Sequence, residues 1–174
     1  MHQSKLKMIK KILFISILFA GFLSSVALAA EPKSIGKYKN WETFVYNDGK
    51  GKVCFAQTMP LERAPKNFKR EQSRLFVTFR KAENIKNEIS ITSGHEYKSA
   101  SVTAKSGKNE FSFFSQGIFA WLLDGEEEYN LIKTMKKASK LSVRAMAKNG
   151  SQTKDLYSMM GFSKAYNAAK KSCV

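Results

Sequence analysis

The stretch WETFVYNDGKGKVCFAQT, residues 41–58, decides the fold class. Two short runs rich in aromatic and β-branched residues, Trp41 to Tyr46 and Lys52 to Thr58, flank a polar turn containing Asp48-Gly49. An Asp-Gly pair between two strand-like runs is a hairpin signal, because glycine supplies the positive φ that such turns require. Similar runs recur outward along the chain. RLFVTFR (74–80) is bounded by arginine, and NEISITSG (87–94) alternates Ile89 and Ile91 against Ser90 and Thr92. SASVTAKSGKNEFSFF (99–114) reads as two strands around Ser106-Gly107-Lys108, and Leu141, Val143 and Ala145 alternate with Ser142 and Arg144. Period-2 alternation between turn signals predicts an antiparallel, mainly β protein of about nine strands. The connections vary in length, which favours a β-sandwich over a barrel.

Two segments break that period. DGEEEYNLIKTMKKA (124–138) offers Asp124 as an N-cap with Glu127 three residues on, a capping-box spacing. Its acids lead and Lys133, Lys136 and Lys137 follow, which suits a helix dipole, while Leu131, Ile132, Met135 and Ala138 form an apolar face. These acids read as helix capping, since the segment lacks the ligand spacing of a calcium loop. GFSKAYNAAKKSC (161–173) predicts a short closing helix capped by Ser163, with Ala165, Tyr166, Ala169 and Cys173 on one face.

The beginning of the chain has a different character. Residues 1–29 carry four early lysines, an apolar core from Ile12 to Val26 and an Ala27-Leu28-Ala29 ending, the pattern of a cleaved signal peptide. Residues 30–40 are polar and predict a mobile arm, which leaves 41–174 as a single β-sandwich domain. No other long apolar run follows, so the mature chain is expected to have no transmembrane span. Four of the 30 Lys and Arg lie in the leader and none of the 14 acids do, so the remainder carries +12. That charge favours anionic partners such as envelope phosphates, although the lysines are spread along the chain as they are in many basic exported proteins.

Cys54 and Cys173 both survive removal of the leader. In an oxidising compartment an isolated pair most simply forms a disulfide. A redox or metal pair is the alternative, but the separation fits neither a CxxC nor a zinc spacing. The predicted bridge ties the closing helix to the strand that carries Cys54.

Little in the chain points to catalysis. His95, in SGHEY, is the only histidine after the leader, and its neighbours place it in a turn. A Ser-His-acid triad stays open, because its members need not be adjacent in sequence. The chain contains no GxSxG, HExxH, P-loop or GxGxxG motif. No cofactor or metal site is expected, and the protein reads as a non-enzyme. The phenylalanines of 75–79 and 111–114 read as core-facing, which with export argues against nucleic-acid binding.

Several segments together resemble one family, the invasion-associated locus B proteins of alphaproteobacteria. They are WETFVY with Trp41, GKVCFAQTMP, RLFVTFR, NEISITSGHEYK, FSFFSQGIFAWL, LIKTMKKASKLSVRA and SQTKDLYSMMGFSKAYNAAKKSC. The last matches the family's closing pattern at Thr153, Asp155, Tyr157, Ser158, Gly161, Phe162, Ala165 and Cys173. Ala147-Lys148-Asn149-Gly150-Ser151 and Met159 depart from it. The resemblance implies an immunoglobulin-like sandwich in the periplasm or at the outer membrane, with no catalytic residues to carry over. Some members are associated with entry into host cells. The expected role is non-enzymatic binding to an unidentified protein or, on the basic charge of the chain, to an anionic envelope component. An envelope hydrolase on the same scaffold and a basic adhesin are the alternatives.

Overall fold

The hairpin expected at 41–58 is formed. In a computed structural model, which describes residues 31–173, the strands are β1 (Lys33–Tyr38), β2 (Trp41–Asn47), β3 (Lys52–Thr58), β4 (Glu62–Ala64), β5 (Arg74–Arg80), β6 (Ile85–Thr92), β7 (Val102–Ser106), β8 (Asn109–Gln116), β9 (Phe119–Trp121), β10 (Lys140–Met146) and β11 (Gln152–Ser158). Two helices, α1 (Gly125–Lys137) and α2 (Phe162–Cys173), complete the fold. The predicted leader, residues 1–29, lies outside the described residues. At the β2–β3 turn, the Asp48 carboxylate accepts hydrogen bonds from the Lys50 and Gly51 amides, and Gly49 takes φ +88°. Those amide bonds lower the pKa of Asp48.

All pairings are antiparallel, in the continuous order β1-β2-β3-β5-β6-β9-β8-β7-β10-β11-β4. Inward residues from both halves of this order, including Leu75, Val77 and Ile89 from one and Leu141, Val143 and Tyr157 from the other, pack into one core. Such packing is compatible with the sandwich expected from the sequence.

Within the segment 30–40 predicted as a mobile arm, Lys33–Tyr38 forms a strand instead. Lys33–Tyr38 pairs with β2, Ser34 Oγ donates to Glu42 Oε1 at 2.7 Å, and Tyr38 packs against the core. The segment looked like an arm because it is a sheet edge, where lysines face water and few apolar residues are needed.

Both helices lie close to their predicted positions. Asp124 caps α1 by accepting from the Glu126 amide at 2.8 Å, and Leu131, Ile132 and Met135 are buried. Helix α2 begins at Phe162, one residue before the expected Ser163 cap, with Gly161 at φ +95° ahead of it. A Cβ on Gly161 would stand 1.8 Å from the Tyr38 carbonyl oxygen, so only glycine lets the helix start pass the β1 end.

Cys173 lies on the buried face of α2 and is bonded to Cys54 of β3, with the Cα atoms 5.8 Å apart and 119 residues of separation. The bridge encloses most of the domain. For a loop of this length the chain-entropy model gives about 4–5 kcal/mol of stabilisation. Replacing both cysteines with serine is therefore expected to lower unfolding free energy by about that amount in chemical denaturation. Non-reducing mass analysis of the native protein should give a mass two hydrogens below the reduced form.

Candidate functional site

Building from the residue pattern, β11 places Thr153, Asp155 and Tyr157 on its inward face. A carboxylate at an inward position is costly unless it is paired and hydrogen-bonded. Arg70, from the connector between β4 and β5, supplies that pairing. Its Nη1 lies 2.9 Å from Asp155 Oδ2 and its Nη2 2.5 Å from Oδ1, and both side chains are only 1–2% exposed. The same Nη1 also donates to the Ser93 carbonyl at 2.7 Å and to Ser73 Oγ at 2.9 Å. A planar guanidinium satisfies such a fork, which a lysine would not.

The connector holding Arg70 is itself seated by backbone. Glu71 N donates to the Gly94 carbonyl at 2.9 Å, and Arg63 Nη2 donates to the Glu71 carbonyl. Gly94 takes φ +75°, and a Cβ there would stand 2.0 Å from Glu71 O. The turn glycine is thus what lets the connector lie flat over the end of β6.

His95 borders this cluster. Its Nδ1 faces the Glu96 carbonyl at 3.0 Å, which can only accept, so Nδ1 carries the proton. Nε2 lies 3.0 Å from Thr153 Oγ1, whose hydroxyl also reaches the Ala145 carbonyl at 3.3 Å. Partial burial lowers the His95 pKa, which favours the neutral ring. Phe68 and Tyr97 pack edge-on against the imidazole. Among the described residues, the His95 ring nitrogens hydrogen-bond to neither a serine hydroxyl nor a carboxylate. Tyr97 donates to Ser93 Oγ at 2.9 Å, and burial pushes its pKa up to about 12. Burial also raises that of Tyr157.

Of the residues singled out by the closing pattern, Thr153 and Asp155 belong to the His95 and Arg70 cluster, while Ser158, Phe162 and Ala165 meet β2 near Trp41. Trp41 Nε1 donates to the Ser158 carbonyl at 2.9 Å, and its ring lies 4.8 Å from that of Phe162. Ser158 Oγ accepts from the Met160 amide, and the Ala165 carbonyl accepts from Thr43 Oγ1 at 3.1 Å. These positions hold the last strand and helix against β2 and form no open site. Among the described residues no group of three or more His, Cys, Asp or Glu is poised to hold a metal ion, and no helix is long and apolar enough to cross a membrane.

No protein-family model matches the chain, and no curated protein matches it.

Some chemistry-bearing residues were missed in the sequence. Arg70 lies in a polar connector with no periodic signal, and only its buried acid partner would have disclosed it. The expectation that the phenylalanines of 75–79 and 111–114 face the core is corrected in part. Phe79 and Phe113 are buried, but Phe114 is 49% exposed and Phe76 lies on the opposite face of β5 from Leu75, Val77 and Phe79. Phe55 stacks on Phe44 at 5.1 Å and meets Phe76 edge-on, while Phe114 and Phe119 both stack on Trp121. A row of aromatics therefore runs over the outside of the sheet as well as beneath it.

Glu128 of α1 accepts a hydrogen bond from the Ile89 amide at 3.2 Å. Burial, opposed by that bond and reinforced by Glu88 and Asp124, raises its pKa to about 7. The folded state thus binds this proton more tightly than the unfolded chain, so the contribution to stability is full below the unfolded value of about 4.5 and is lost as pH rises through about 7. Denaturation midpoints are expected to fall across that window, and Glu128→Gln, which keeps an acceptor for Ile89, should flatten the fall. Asp155→Ala leaves Arg70 buried without its counter-charge and should cost about 3–5 kcal/mol, whereas the paired change Arg70→Met with Asp155→Leu should recover much of that loss.

Proposed function

We propose that the protein is an exported, envelope-side binding protein that performs no covalent chemistry and associates with anionic envelope components through its basic surface. The observation that carries this reading is the Cys54–Cys173 bridge across a strongly basic chain. A bond of this kind persists in oxidising compartments and is rare in the cytosol, which agrees with the leader-like residues 1–29. Outside the cytoplasm, the abundant anions are phosphates of lipid and polysaccharide, and a net charge of this sign is drawn to them.

Further support comes from how the charges are distributed. The Arg70 and Asp155 pair is buried and engaged in holding the connector against the strands. Among the described residues, ion pairs on the surface, such as Lys50 with Glu83 and Lys148 with Glu96, occupy only a minority of the lysines. The remaining positive charge is available to a partner. The family resemblance points in the same direction, toward a periplasmic or outer-membrane immunoglobulin-like domain associated, in some relatives, with entry into host cells.

Association with vesicles containing anionic phospholipid, or with lipopolysaccharide, is expected at low ionic strength and should weaken steeply as salt is added. Binding to neutral vesicles should be negligible. If cosedimentation shows no association with anionic vesicles even at low salt, the reading fails.

A further inference from the structure

Behind the disulfide lies a cleft of about 570 Å3, within the range of small-molecule sites. Phe79, Ile85 and the Cys173 end of the bridge line its apolar part, and Lys81, Lys86 and Lys170 stand around it. These residues come from the end of β5, the short turn that follows it, the start of β6, and the last turn of α2. The wall between them is fixed. Tyr166 donates to Asn87 Oδ1 at 2.6 Å and packs edge-on against Phe79 at 5.5 Å, while the bridge pins the end of α2 to β3.

Among the described residues, the charge around this cleft is one-sided. The two acids nearest in sequence are already paired, Glu83 with Lys50 at 3.3 Å and Glu88 with Arg80 at 3.1 Å. Among the described residues, none of the three cleft lysines makes an ion pair. A fourth cation, Lys136, lies 4.1 Å over the ring of Tyr166. Gathering like charges costs free energy that an anion arriving among them would relieve. An apolar wall beside them favours a ligand that also has a hydrocarbon part.

We propose that this cleft is a binding site for a single-chain anionic amphiphile, with the hydrocarbon tail against Phe79, Ile85 and the disulfide and the anionic head among Lys81, Lys86 and Lys170. The inference deepens the anionic-partner reading above by naming a discrete site and one ligand class. It differs from surface attraction because it requires a tail as well as a charge. Head chemistry can be carboxylate or phosphate, since an ammonium group serves either.

The test titrates the oxidised mature protein with laurate and with dodecyl phosphate, each below its micelle concentration, following heat and amide chemical shifts. Inorganic phosphate supplies the head alone, and dodecyl maltoside supplies the tail without charge. One anionic ligand should bind per chain, with shifts centred on residues 79–87 and 170–173, and both controls should bind at least tenfold more weakly. A preference for either anionic head supports the site and assigns the head class. The triple variant Lys81→Glu, Lys86→Glu, Lys170→Glu changes only exposed side chains and should weaken binding at least tenfold. Ile85→Trp, which fills the apolar part, should do the same while leaving cosedimentation with anionic vesicles unchanged. Equal affinity for dodecyl maltoside, unaltered affinity in both variants, or shifts centred elsewhere would overturn the proposal. Vesicle association lost with laurate binding retained would instead overturn the surface reading and leave the cleft standing.

Discussion

Asp155 and Arg70 form a charged pair with almost no access to water, and the arrangement of the strand ends follows from how that pair is satisfied. Burying two charges is costly, and their attraction offsets the cost only when the remaining donors and acceptors are also engaged. Here the guanidinium reaches a strand carboxylate, a turn carbonyl and a serine hydroxyl from one connector. Each of those partners sits on a different part of the chain, so the connector has one resting place. The contribution is best described as specificity of arrangement, since an apolar replacement of similar volume would be about as stable.

A second set of contacts joins the early strands to the last helix. Trp41 packs on Phe162 and donates to the Ser158 carbonyl, Gly161 passes against the Tyr38 carbonyl, and Cys173 is bonded to Cys54. Apolar packing supplies most of the stabilisation in such a region, and the covalent link removes freedom from the unfolded chain. Helix α2 would be short for independent stability, and its helicity depends on the face it presents to β2 and β3.

The sequence was most legible where one rule governed a segment. Strands β2, β3, β5, β6, β7, β8 and β10 alternate plainly, α1 has its cap and its apolar stripe, and the two cysteines left a simple pairing. Strand β11 was hidden because its inward positions are Thr153, Asp155 and Tyr157, which do not read as an apolar stripe. Strand β1 was hidden by the polarity that suits an exposed edge, and β4 and β9 are three residues each. The cleft beside the disulfide was beyond reach for another reason. Lys81, Lys86 and Lys170 meet only after the fold has closed, and in the sequence they look like any other solvated lysines. His95 was correctly placed in a turn, but its contact with Thr153 depends on a strand that alternation did not reveal.

The pairing of early strands with the last helix also sets an order of events during synthesis. Strands β2 and β3 leave the ribosome with Trp41, Thr43, Cys54 and Ala56 facing a partner that is still more than a hundred residues away. Their inner face cannot be covered by α2 until nearly the whole domain has been made, so local hairpins form first and closure waits for the end. A chain whose first strands and last helix share one buried face becomes compact only once that final helix is free to dock.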